Sequence, residues 1–516
     1  MAMPEQERPD YYGIAKIRSS LVHFLFGKGF SAFAALFSVV LVIRELPISE
    51  YAIYATLHAM VMMLRLLTSF GINATVLRFI PDTRVEGNNR AAYTLLFGGV
   101  TLRAAFYIVV VLLLYFVAGD SIAAMLGLNG FEWAYLIYLV TGFFRVTVFF
   151  YVGALESLLW QKQAQYTVAA ANILKVLLLL FLIESGGLTL LNVIVVELAC
   201  EAIALVALLA TSISSWRKDP DRHAGDAAVL RRDWRRYGRF SFWAYLFNLT
   251  AVLNGSAPNR IIVAAFLGPN QVALFAAVDR LAQFVKQYEP VKLLMGLFRP
   301  VLNSRYKKKS DFPVIMGLAD SMFRLNLVVL AAPLIVVAVA GENVFDILTN
   351  GKYVSGYKLF IGLMGVLILG SMMLTLELLV KAVELTQIFT LSNLVLSGSV
   401  FVAFPFFDEL GVWALVFANA VGHCLAIGII IVYLTKNGFG IQFSRMDIGK
   451  IIFSTAVAIA AGTVAAGALP ETWWIISVIV AGMVFAGSLI MFLPFNQGEI
   501  DIVKRTLQRN EAADAH

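Results

Sequence analysis

Residues that usually carry chemistry are scarce in this chain. Only two of its 516 residues are cysteine, Cys200 and Cys424, and both fall in apolar stretches, so no disulfide framework is expected. Five histidines form no metal-spaced cluster. No Gly-x-x-x-x-Gly-Lys run is present to cradle a nucleotide phosphate. The longest polar segment is about 28 residues, too short to build a catalytic domain. These absences exclude the common enzyme classes. The expectation is a protein that is not an enzyme, with no cofactor, no metal and no nucleic-acid partner. What the chain does have is hydrocarbon. It is 60% hydrophobic with a mean hydropathy of +0.81, against ~45–50% apolar in a soluble domain. That composition belongs to a polytopic membrane protein.

The expected fold class is an all-α integral membrane protein with about fourteen transmembrane helices of roughly 18–25 residues each. Their expected limits are 21–43, 51–72, 94–117, 132–155, 166–183, 188–210, 240–262, 272–297, 317–341, 358–381, 387–407, 411–434, 449–468 and 472–493. The first span is too long for a signal-peptide core and is read as retained. Basic residues set the orientation. With the N-terminus inside, the inner segments collect about 27 Lys and Arg, chiefly Arg78, Arg84, Arg90, Arg217 to Arg239, Arg299 to Lys309, Arg445 and Lys450. The outer loops hold only Arg44, Lys352 and Lys358. Both termini are therefore expected in the cytoplasm. The longest inner loop, Thr211 to Gly238, is densely basic and suits membrane lipid headgroups or a cytosolic partner.

Ten of the forty Lys and Arg lie inside the apolar spans: Lys28, Arg65, Arg103, Arg145, Lys175, Arg260, Arg280, Lys286, Lys292 and Arg324. A cation near the bilayer centre costs ~2.5–3.5 kcal/mol, so it pairs, snorkels or lines water. Spread over so many helices, these cations imply a cationic lumen and an anionic cargo. His58, Met62, Arg65 and Ser69 share one helical stripe. Arg145 and Lys175 are deep in their spans. Each of the three deep cations either lines a cavity or belongs to a buried ion pair, and Arg offers phosphate a bidentate fork. Lys28 and Arg103 lie nearer the inner face, where snorkelling competes. Arg324 with Asp320, and Lys381 with Glu377, read as local i, i+4 pairs.

The eighth span carries Asp279, Arg280, Gln283 and Lys286, with Pro290 placed to kink it. The seventh offers Asn248, Asn254, Asn259 and Arg260, suited either to sugar hydroxyls or to gluing helices together. Glu197 and Glu201 sit at i, i+4 on the sixth span. Buried carboxylates are costly unless paired or protonated. Either one pairs with Lys175, or, with Asp279, they are candidates for ion coupling.

A repeat links the two halves. Leu46-Pro47-Ile48-Ser49-Glu50-Tyr51-Ala52 follows the first span, and Leu267-Gly268-Pro269-Asn270-Gln271-Val272-Ala273 follows the seventh. The expected organisation is a six-helix lobe over 1–210, a basic linker over 211–239, a second six-helix lobe over 240–434, and two extra spans with a tail over 435–516. The Arg44-Glu45-Leu46-Pro47 turn, the Glu50-Tyr51-Ala52-Ile53-Tyr54 entry, and Phe70-Gly71 followed by Arg78-Phe79-Ile80-Pro81 resemble bacterial polysaccharide transporters. Those belong to the multidrug/oligosaccharidyl-lipid/polysaccharide exporter superfamily. Asn259-Arg260, Leu267-Gly268-Pro269 and Asp279-Arg280 resemble the second half of that pattern, with Asn259 where Asp is common.

The resemblance implies two six-helix lobes around a central cavity that opens alternately to each membrane face. It implies an undecaprenyl-diphosphate-linked glycan as cargo, a place in the bacterial inner membrane, and partnership with a polysaccharide biosynthesis complex. Energy would come from an ion gradient or from consumption of the product. A multidrug or cation exporter of the same superfamily is the first alternative, and a membrane-embedded glycan polymerase or ligase the second.

Overall fold

A computed structural model describes residues 14–128, 130–250, 255–292, 312–383 and 385–492. Asn254, the Arg299–Lys309 basic stretch and both ends of the chain lie outside the described residues. Every regular element among the described residues is helical. Among the described residues, eleven helices are long and apolar enough to cross a membrane, or twelve if one bent pair is counted as a single span. This is a multi-pass membrane protein. The described helices at the places of the expected seventh and eighth spans are not among the eleven.

In the first half, α1 is Ile14–Glu45, α2 Ile48–Leu67, α3 Ile72–Val85 and α4 Asn89–Met125. Next come α5 Glu132–Ser157, α6 Gln161–Gly186, α7 Leu190–Lys218, the short α8 Ala228–Arg232, and α9 Trp234–Thr250. Pro47 precedes α2 with φ −54 and ψ 150, so the chain turns there without a long loop. The segment after the second span was expected to be an inner loop, but part of it forms α3. Val76, Phe79, Ile80 and Thr83 make a buried face that justifies the helix. The basic linker is also shorter than expected. α7 runs on to Lys218 and α8 begins at Ala228, leaving 219–227 outside helix.

The second half comprises α10 Ser256–Phe266, α11 Pro269–Gln287, α12 Phe312–Thr349, α13 Gly356–Ala382 and α14 Thr386–Ser399. A 3-10 turn, Val400–Phe406, leads to α15 Phe407–Leu410 and α16 Val412–Lys436, and α17 Arg445–Ala468 and α18 Trp474–Phe492 end the described chain. The eighth span was expected to run through Pro290. Instead α11 ends at Gln287, because a residue before proline is disfavoured in helix. Proline also marks the start of α11, there as its first helical residue, Pro269, after Gly268, and the two helices have 19 and 20 residues.

The chain divides into two compact units. One is Met1–Val252 with Arg260–Ala265, and the other Leu253–Asn259 with Phe266–His516. The division falls at α10, beyond the basic segment, because α9 packs on α2 and α3. Within the first unit α5 packs against α2, α3, α4, α6 and α7. Ile80, Leu96, Tyr151, Leu155 and Leu208 form the centre of its core. Within the second unit α17 and α18 pack on α12 through Ala331, Ala458, Ala481 and Phe485. Arg324 of α12 reaches Asp320 at 2.9 Å and Asp447 of α17 at 3.4 Å, fastening the start of α17 to α12. The other expected local pair, Lys381 with Glu377, is also formed.

Candidate functional site

A cavity of about 260 Å3 lies inside the first unit, lined by α2, α5, α6 and α7. Its charged lining is Arg65, Arg145, Lys175, Glu197 and Glu201. Helical spacing brings them together. Arg65 is on the last turn of α2, and Glu197 and Glu201 are one turn apart on α7.

Glu197 is the hub, with its side chain only 1% exposed. Lys175 and Tyr54 donate to its Oε1, Tyr54 at 2.8 Å. Arg145 Nη2 sits 3.0 Å from its Oε2, and Tyr138 donates to Oε2 at 2.8 Å. Arg145 Nη1 donates to the Tyr138 hydroxyl at 3.0 Å, and its Nε donates to Glu201 Oε1 at 2.8 Å. A buried carboxylate needs this many donors to offset its lost hydration. Of the two readings for Arg145 and Lys175, both apply: they line the cavity and they are ion-paired.

Arg65 differs. Its guanidinium stacks over the Phe149 ring at 4.2 Å and makes no ion pair among the described residues. Cation–π stacking engages the face of the guanidinium and leaves the edge donors available. The cavity therefore holds three cations against two carboxylates, and the excess charge resides on Arg65.

Arg103 does not reach this cavity. Its guanidinium donates to the carbonyl and hydroxyl oxygens of Thr68, the latter at 2.7 Å, and to the carbonyl of Arg65 at 2.6 Å. It was expected in the cavity or at headgroups. The reason for its actual place is a break in the second span. α2 and α3 meet at 54°. Phe70 and Gly71 take φ 41 and 73 there, so the carbonyls ending α2 lose their helical partners. Tyr245 and Ser241 of α9 complete the repair, donating to the carbonyls of Leu67 at 2.9 Å and Phe70 at 2.8 Å.

The other expected site residues lie elsewhere. Lys28 is half-buried on α1, outside the cavity lining. Asn248 is exposed on α9. Asn259 and Arg260 are buried on α10. Asp279 accepts from Ser256 and, at 3.1 Å, from Gln283 within the second unit. Arg280 and Lys286 are half-buried on α11. Among the described residues no group of His, Cys, Asp and Glu could hold a metal ion. The sequence reading missed Tyr54 and Tyr138. Tyr54 lies one turn before His58 on the stripe that carries Arg65, and Tyr138 lies two turns before Arg145, so the same periodicity pointed to both.

The family model described as polysaccharide biosynthesis protein matches residues 18–288, more than half of the chain. The chain belongs to that family. No curated protein sequence matches it. Among solved structures, it is similar to lipid II flippase MurJ in an inward closed conformation. The TM-score is 0.69 at 11% identity, covering 91% of this chain and 98% of that one. It is also similar to a multidrug resistance MATE family transporter of the MOP superfamily. The inward-facing form gives TM-score 0.58, 11% identity, and coverage of 79% and 94%. The outward-facing form gives 0.58, 13%, and coverage of 82% and 95%. At these identities the likeness establishes the fold, that of MOP-superfamily transporters.

Proposed function

We propose that this protein flips an undecaprenyl-diphosphate-linked oligosaccharide across the bacterial inner membrane, supplying surface polysaccharide synthesis such as exopolysaccharide or lipopolysaccharide. The observation that carries the reading is the charge balance of the first unit's cavity, where Arg65 has no carboxylate partner among the described residues. A diphosphate matches its free edge donors bidentately. At about 260 Å3 the cavity falls below the ~300–1,000 Å3 of pockets that enclose drug-sized ligands. It suits a diphosphate, with the sugars held elsewhere. Lys28, Arg103 and Arg260 are then supporting residues, and Arg280, Lys286, Gln283, Asn248, Asn254 and Asn259 the candidates for contacts beyond the diphosphate. Transport would proceed by alternating access between two six-helix lobes, with both termini cytoplasmic. A lipophilic cation is a poor fit to a cavity with a surplus of positive charge.

The test is reconstitution. Proteoliposomes should move a fluorescent undecaprenyl-diphosphate glycan between leaflets and should not accumulate a lipophilic cation. Cation transport without glycan flipping would overturn the reading.

A further inference from the structure

A second cavity, of about 310 Å3, lies elsewhere in the first unit, between α3, α4 and the α8–α9 segment. Its lining is mostly apolar. Ile72 and Val76 come from α3, Gly98 and Leu102 from α4, and Trp234 and Gly238 from α9. Two of these are glycines on opposite walls. A Cβ added at Gly98 or Gly238 would meet nothing within 4 Å. Gly99, by contrast, is needed for packing, since a Cβ there would press on Val76 and Phe150. Glycine inside a helix costs stability relative to alanine. At Gly98 no neighbouring helix requires it. What it leaves is open space.

The basic residues are in register with this groove. Leu230, Trp234 and Gly238 line it at i, i+4 and i+8, and each is followed at once by an arginine: Arg231, Arg235 and Arg239. All three arginines are exposed, and none makes an ion pair among the described residues. Arg235 lies over the Trp234 ring, 5.7 Å from its centroid. The rest of the segment adds Arg232 and Arg236. An apolar slot edged by unpaired arginines is complementary to a molecule with a hydrocarbon chain and an anionic head.

We infer that this groove binds an anionic phospholipid from the leaflet facing the basic segment, one acyl chain lying between Gly98 and Gly238 and the phosphate held by Arg231, Arg235 and Arg239. The site is separate from the Arg65 cavity and does not depend on the proposed cargo. It has a route to that cavity all the same. Its α9 wall carries Ser241 and Tyr245, which hold the carbonyls ending α2 next to Arg65.

Native mass spectrometry of the full chain, purified and offered defined lipids, tests the site. Wild-type protein should retain phosphatidylglycerol and release phosphatidylcholine. Gly98→Phe and Gly238→Leu fill the slot from opposite walls, and each should lower retention roughly tenfold. Two walls are used so that a folding defect in one variant does not decide the matter. Neutralising Arg231, Arg235 and Arg239 together to Gln should lower it roughly a hundredfold and erase the preference for the anionic lipid. Equal retention of the two lipids by wild type, or unchanged retention in both slot-filling variants, would overturn the site. So would one-for-one displacement of phosphatidylglycerol by undecaprenyl phosphate, which would make the occupant an isoprenoid.

Discussion

Arg145 and Glu197 meet 3.0 Å apart across α5 and α7, and Lys175 binds the same carboxylate from α6. Two of the deepest cations in the chain thus share one buried acid, and Glu201, 2.8 Å from Arg145, completes the balance of charge. Glu197→Gln leaves Lys175 without its carboxylate and Arg145 with Glu201 alone. Breaking a buried pair of this kind costs about 3–5 kcal/mol. Denaturant unfolding in detergent should show that loss for Glu197→Gln, and most of it should return in Glu197→Gln with Lys175→Met. No recovery in the double variant would show that Glu197 does more than balance charge.

Arg103 should behave as a structural residue. Arg103→Gln strips the carbonyls of Arg65 and Thr68 of a charged donor, at about 1–3 kcal/mol for each buried acceptor left unpaired. Thermal stability and transport should then fall together, and Arg103→Lys should recover only part of either. A variant of normal stability that had lost transport would move Arg103 into the binding site.

Gly71 is irreplaceable for two reasons. Its φ of 73 is left-handed, and an added Cβ would collide with the backbone carbonyl of Ser241. Gly71→Ala should detach α9 from the end of α2. Hydrogen exchange should then speed up in 241–250 before it does in α5 or α7. Unaltered exchange there would contradict the packing described.

Most of the spans were legible because continuous apolar runs leave few alternatives in a bilayer. A pair between Lys175 and one of Glu197 and Glu201 was legible too, since buried opposite charges on neighbouring spans have few other partners; that Glu197 is the partner comes from the structure. The broken second span was not. Nothing in the helical periodicity of His58, Met62, Arg65 and Ser69 stops the helix at Leu67. The break depends on Gly71 adopting a left-handed conformation and on donors from α4 and α9, which are distant in sequence. For that reason Arg103 looked like a ligand-binding cation. The helix ending at Gln287 was missed differently, by giving hydrophobicity more weight than the constraint Pro290 places on the residue before it.

The decisive measurement concerns Arg65, the one cation of its cavity with no carboxylate partner among the described residues. Flipping of an undecaprenyl-diphosphate glycan would be followed in proteoliposomes holding equal amounts of folded wild type, Arg65→Lys and Arg65→Gln. A lost charge-assisted bidentate contact corresponds to roughly 10–100-fold. Arg65→Gln should lose that much while keeping wild-type stability, because no carboxylate is left unpaired, and Arg65→Lys should fall between the two. Wild-type flipping by Arg65→Gln would contradict the assignment of Arg65 as the diphosphate-binding cation.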